Sequence, residues 1–167
     1  HRSDGAVEVN FSPVPDLSGG PGGLSVAVDI GTTTVAALLV EDGRIVASAG
    51  MPNRQFRFGD NVIDRIAACQ SSPGAQRELH RAVVDETINP LLAQLAADPR
   101  RISRMAVAAN TVMTHLFYNE SPVSIGTAPF TPKFRRFPEV AAASLGVAIR
   151  PEGRIIAAPA ISGNVGG

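Results

Sequence analysis

One cysteine, Cys69, in a chain of 167 residues cannot close an internal disulfide, and with three scattered histidines it cannot supply a four-ligand zinc site. The chain is therefore read as intracellular, and a cytoplasmic setting is expected. Charge of one sign is not in excess: 15 basic and 15 acidic side chains give a formal net charge of zero. A nucleic-acid domain usually carries a clear surplus of Lys and Arg, so no nucleic-acid partner is expected. Lysine is almost missing, with Lys133 alone among fourteen arginines, a bias that fits a GC-rich coding sequence at least as well as a functional demand. No apolar stretch approaches the ~18 residues of a membrane helix, and no charged-then-apolar signal opens the chain; no membrane partner is expected. Charged residues are only 18%, against about 25% in ordinary soluble domains. Much of the surface must then be weakly polar or covered by something else. An initiating Met is also missing, which predicts a piece excised from a longer polypeptide.

What is there begins with Pro13, Pro15, Gly19, Gly20, Pro21, Gly22 and Gly23, a composition that predicts a flexible linker over 1–23. From Leu24 the chain turns apolar and β-branched. Strands are predicted over 24–30, 34–40 and 44–49, joined by tight turns into an antiparallel meander. Asp60 is a reasonable N-cap for a helix bearing Val62, Ile63, Ile66 and Ala67 on one face. A longer helix follows from about Gly74, with Leu79, Val83, Ile88, Leu91 and Leu95 at helical spacing, and Pro90 should kink or restart it after Asn89. Residues 102–109 read as a fourth strand, apolar on both faces and so central. A short helix over 111–118, a proline-punctuated loop over 119–138, a helix over 139–145 and a strand over 153–158 complete the reading. The expected fold is α/β, in the order β-β-β-α-β-α-β with a mixed five-stranded sheet.

Chemistry concentrates at Asp29-Ile30-Gly31-Thr32-Thr33-Thr34, the bend between the first two strands. Gly31, lacking a Cβ, permits close approach of backbone to a ligand, and three threonines add hydroxyl donors to the N–H groups of the turn. Asp29 could hold Mg²⁺ through water, since that ion keeps several waters beside one or two carboxylates and the phosphates. The competing reading is a hairpin whose Asp and Gly merely shape the turn. Three hydroxyl residues after Asp-x-Gly, between apolar strands at the start of a domain, favour phosphate binding. Asn110, closing the fourth strand, could orient a water or a phosphate oxygen, or cap the next helix. His115 reads as a structural histidine, Cys69 as a small apolar residue. Asp60 and Arg65 could pair, although a cap plus a solvated Arg65 is the simpler expectation. Arg54, Phe56, Arg57 and Phe58 read as a loop anchored by its phenylalanines, and the loop with Arg135 and Arg136 as surface.

At this point the sequence resembles known proteins. VAVDIGTTTVAALLV looks like the first phosphate motif of the superfamily of acetate and sugar kinases, heat-shock ATPases and actin, which implies a ribonuclease-H-like, actin-like ATPase lobe. Later segments narrow it: Asn53-Arg54-Gln55 with Gly59-Asp60-Asn61-Val62-Ile63-Asp64-Arg65-Ile66, then Asn110-Thr111-Val112-Met113-Thr114-His115, Ala128-Pro129-Phe130-Thr131-Pro132, and 159–166. In that order they are similar to segments of the RACo and RamA type of corrinoid-protein reductive activators, over residues 24 to 167. The resemblance implies an ATPase that returns the corrinoid protein of a methyltransferase system from Co(II) to Co(I). ATP and Mg²⁺ are the implied ligands, with Asp29, Gly31, Thr32, Thr33 and Thr34 contacting them, Asp29 on the metal and Asn110 catalytic. Electrons would come from a 2Fe–2S ferredoxin domain upstream, whose four cysteines are not in this sequence. Residues 24–167 would be one lobe, with a second ATPase lobe, the corrinoid protein and a homodimer mate as expected partners. Against the family pattern, Ala109 stands where a Gly precedes Asn110, Asn61 where an Asp is common, and Gly166-Gly167 where Gly-Ala-Asp is usual. A small-molecule phosphotransferase and a non-catalytic interaction lobe are the alternatives.

Overall fold

A computed structural model describes residues 23–159; the predicted linker, save its last residue, and residues 160–166 of the final motif lie outside the described residues. The meander forms as expected. Strand β1 (Leu24–Ile30) pairs antiparallel with β2 (Thr34–Glu41), and β2 with β3 (Arg44–Pro52). Asp42 and Gly43 make the second turn with φ of 47° and 76°, the double positive-φ backbone of a two-residue hairpin.

Strand β4 (Ile102–Ala109) pairs parallel to β1 and is flanked on its other side by parallel β6 (Arg154–Ala157), the central place its apolar composition predicts. The sheet has six strands, in the order β3-β2-β1-β4-β6-β5, where five were expected. The extra one is β5 (Val140–Ala141), which pairs antiparallel with β6. Residues 139–145 are therefore no single helix: two residues pair with β6, and one turn of helix, α6 (Ala142–Leu145), follows and ends on Gly146 at φ 72°. A second single turn, α5 (Val123–Gly126), interrupts the proline-rich loop.

Helix α1 (Val62–Ser71) starts one residue later than predicted. Its cap is Asn61, whose side chain accepts from the Asp64 N–H at 3.0 Å, and not Asp60. Gly59 makes this possible. It sits at φ 143°, and a Cβ there would stand 2.2 Å from the Asp64 Cβ, so the chain turns directly into the helix.

The long helix is α2 (Ala75–Val83), a π turn (Val84–Ile88) and α3 (Asn89–Leu95). Pro90 has no N–H to give the carbonyl four residues back. The backbone widens before it: the Asn89 N–H reaches the Val84 carbonyl five residues back. Thr87 Oγ1 donates to the Ala82 carbonyl at 2.8 Å and accepts from the Arg54 N–H at 3.1 Å. The predicted restart at Asn89 is thus a π turn tied to the segment after β3.

Helix α4 (Thr111–Phe117) is buried along its whole length. Its Met113, Leu116 and Phe117 join Leu79, Val83, Ile88 and Leu91 of the long helix against Val26, Val28, Ile30, Val35, Met105 and Val107 of the sheet. Each such side chain contributes roughly 1.5–3 kcal/mol by leaving water. The opposite sheet face carries Ala27, Asp29, Ala36, Leu38, Ala106, Ala108 and Ile156 along a groove of about 450 Å³. No helix among the described residues is long and apolar enough to cross a membrane.

Candidate functional site

Parallel pairing sets β1 and β4 side by side with Asp29 against Ala108 and Ile30 against Ala109. Gly31 and Asn110 come next on the two strands. The fold thus gathers Asp29, the turn of Gly31, Thr32, Thr33 and Thr34, and Asn110 at the carboxyl ends of parallel strands, the edge where open α/β sheets bind ligands. Asp29 is exposed, as are Thr33 and Thr34, with Gly31 and Thr32 half-buried.

The turn is closed by the Gly31 N–H, which donates to the Thr34 carbonyl at 3.0 Å. A Cβ on Gly31 would stand 2.7 Å from that carbonyl oxygen, so glycine is required by close packing of backbone. Three successive carbonyls are held from behind. Asn53 Nδ2 donates to Gly31 O at 2.9 Å, Arg65 Nη2 to Thr32 O at 2.6 Å, and the Asn53 N–H to Thr33 O at 2.8 Å. In a planar trans peptide the carbonyl and the following N–H point in opposite directions. The N–H groups of Thr32 and Thr33 therefore turn away from the buried side, and neither has a backbone partner among the described residues. Two outward N–H groups beside three hydroxyls form a small set of convergent donors, the kind of arrangement that can hold an anion.

The residues behind the turn are Asn53, Gln55 and Arg65, all completely buried. Asn53 Oδ1 accepts from the Gln55 N–H at 3.0 Å; Gln55 Oε1 accepts from Arg65 Nη1 at 3.1 Å, and Gln55 Nε2 donates to the Leu79 carbonyl at 2.8 Å. Arg65 also gives Nε to Gly59 O at 3.1 Å and Nη1 to Met113 Sδ at 3.2 Å. The expectation of a solvated Arg65 is overturned. Its charge is opposed by burial, which pulls its pKa down, and is supported at longer range by Asp60, with which it forms no ion pair. Sequence reasoning assigned no function to these three residues. The available signal was their place in the Asn53-Arg54-Gln55 and 59–66 segments.

Asn110 is the N-cap of α4, its Oδ1 accepting from the Met113 N–H at 2.9 Å. Phe58 packs on the core while Phe56 is 50% exposed. These residues form a 3₁₀ turn, Arg54–Phe58, and Arg57 is forked onto Glu86.

His115 is structural, as read. Its Nδ1–H donates to the Thr111 carbonyl at 2.7 Å, which leaves Nε2 to accept from the Phe134 N–H at 3.3 Å. Burial, the largest influence, lowers its pKa from the usual 6.5. The unfolded chain then takes up a proton at a higher pH than the folded one. Stability is complete above about pH 6.5 and falls as pH drops from there toward the depressed folded value. Urea midpoints at pH 7.5 and 5.5 should differ less in His115→Gln than in the parent chain; equal differences would contradict this.

Among the described residues no three His, Cys, Asp or Glu side chains cluster as a metal site. Asp29 alone fits Mg²⁺ only where phosphates and water complete the shell. A 2Fe–2S cluster does not fit: Cys69 is single, half-buried on α1, and burial pushes its thiol up to about 11.

These features define a mixed α/β fold with a six-stranded sheet and a donor-lined turn at the ends of its parallel strands. The chain belongs to the RACo middle region family, whose model matches residues 24–167. It is 28% identical over 146 residues to the corrinoid activation enzyme RamQ of Eubacterium limosum, covering 84% of this chain and 25% of that protein. A solved structure of a reductive activator for a corrinoid, iron–sulfur protein superposes with a TM-score of 0.83 at 36% identity, over 88% of this chain and 24% of that one. The chain thus spans about a quarter of the length of these relatives.

Proposed function

We propose that this chain is the phosphate-binding lobe of an ATP-dependent reductive activator that returns a corrinoid protein from Co(II) to Co(I). The observation that carries the reading is the turn itself, with carbonyls fastened inward and the Thr32 and Thr33 N–H groups facing out beside Asp29. Family membership and the names of two relatives support the corrinoid part. In this reading the N–H groups of Thr32 and Thr33 and the hydroxyls of Thr32, Thr33 and Thr34 bind phosphate oxygens of ATP. Asp29 holds the waters of Mg²⁺, which supplies charge neutralisation of the phosphates when bound. Asn110, with Oδ1 committed to the helix cap, presents its amide nitrogen to a water or a phosphate oxygen. A second ATPase lobe completes the cleft, and the electron reaches cobalt from a 2Fe–2S domain outside these residues.

The test uses the natural full-length polypeptide with Mg–ATP and a Co(II) corrinoid protein, following phosphate release and Co(I) absorbance. Asp29→Ala should lower both by roughly two orders of magnitude. Absence of ATP binding by the parent protein would overturn the reading. The 167-residue chain alone should hydrolyse ATP weakly or not at all. Robust Mg²⁺-dependent turnover by it, abolished in Asp29→Ala, would show that one lobe suffices.

A further inference from the structure

Arg65 stands apart from the other charged side chains of the described residues. It is the one fully buried charged residue among those described, and every acceptor it meets is neutral: the Gly59 and Thr32 carbonyls, the Gln55 amide and the Met113 thioether. Arginine is almost never buried whole without an anionic partner, because burying an unpaired charge is costly. A side chain needed only to tie loops together could have been neutral. Asp60 supports the charge only at longer range, and one short route for it toward solvent runs through the turn. Nη2 donates to Thr32 O at 2.6 Å, and the same peptide ends in the outward Thr33 N–H. A donor on a carbonyl polarises the peptide and strengthens its N–H as a donor. Asn53 Nδ2, through Gly31 O at 2.9 Å, does the same for the Thr32 N–H.

We infer that Arg65 is a positioning residue that supplies the positive charge behind the Gly31–Thr34 turn, so that the turn selects a phosphate-bearing, multiply anionic ligand over an uncharged one. The anion on the outer side of the turn adds to the long-range support that Asp60 gives this charge. Gln55 aims the guanidinium without neutralising it, and Asn53 holds Gln55 in turn. This rests on the proposed assignment of the turn to ATP phosphates.

The test is calorimetric titration of the full-length polypeptide with Mg–ATP and, separately, with adenosine. Arg65→Met removes the charge. Gln55→Glu keeps the side-chain shape, gives up the donor to the Leu79 carbonyl, and sets a carboxylate against Nη1, pairing the charge inside the protein. Both should weaken ATP binding by about tenfold or more while adenosine binding stays within about twofold. Folded variants that bind ATP like the parent would overturn the inference and leave the proposed function standing. Equal losses for ATP and adenosine would also overturn it, since they would mark a purely structural role. Where neither variant folds, the parent protein decides: Mg–ATP, and not adenosine, should shift the NMR signals of Arg65 Nε–H and of the Thr32 and Thr33 amides. Unmoved signals at saturating Mg–ATP would overturn the inference. Failure of the parent to bind ATP at all would instead remove the proposed function, and this inference with it.

Discussion

Asn53→Ala should cost this fold about 3 kcal/mol, read as a shift of the urea unfolding midpoint at unchanged slope. The amide is completely buried and works in two directions. Its Nδ2 holds the Gly31 carbonyl at 2.9 Å and its Oδ1 holds the Gln55 N–H at 3.0 Å. Alanine leaves the buried Gln55 N–H and the half-buried Gly31 carbonyl without these partners, and each such group costs up to roughly 1–3 kcal/mol. The turn is also released, so the Thr32 N–H loses its fixed direction and ligand binding should fall with stability. Asn53→Asp keeps an acceptor for the Gln55 N–H but sets a buried carboxylate oxygen against the Gly31 carbonyl and Gln55 Oε1, and should cost at least as much as alanine. An alanine variant within about 1 kcal/mol of the parent would mean that the turn is held by its strands alone.

The dependence of the turn on residues far away in sequence explains which parts of the fold could be read in advance. Strands β1 and β2 announce themselves by alternation: Val26, Val28 and Ile30, then Val35, Ala37 and Leu39, all face the core. Asp42-Gly43 marks its hairpin by the two positive-φ positions it must fill. The central place of β4 follows from its apolar faces, while its pairing with β1 is seen only in the fold. Strand β5 was not legible because two residues have no period, and it exists only by pairing with Arg154 and Ile155. The cap of α1 moved from Asp60 to Asn61 because either side chain can cap, and the conformation of Gly59 decides between them. Arg65 was misread for a related reason. A lone arginine on a helix is normally solvated, and its burial here depends on Thr32, 33 positions earlier, and Met113, 48 positions later. At the candidate site, Asp29, Gly31 and the threonines were found from local pattern. The buried layer that orients them is visible only once the chain has folded.

Gly31→Ala should separate the turn from the rest of the lobe. The new Cβ would lie 2.7 Å from the Thr34 carbonyl oxygen, a backbone atom that cannot swing aside. Relief requires the turn to open, which lengthens the 3.0 Å bond from the Gly31 N–H to that carbonyl and draws Gly31 O away from Asn53. A stability loss of about 2 kcal/mol is expected, together with, on the proposed function, at least about a tenfold loss of Mg–ATP affinity in the full-length protein, as for a displaced donor set. Gly43→Ala is the matched control. It strains a φ of 76° but meets nothing within 4 Å, and its hairpin lies at the opposite end of β2 from the Gly31 turn. That variant should lose about 1–2 kcal/mol and bind ATP like the parent. Comparable destabilisation with opposite effects on binding would localise phosphate recognition to the β1–β2 turn; unimpaired ATP binding in folded Gly31→Ala would remove the turn from the site.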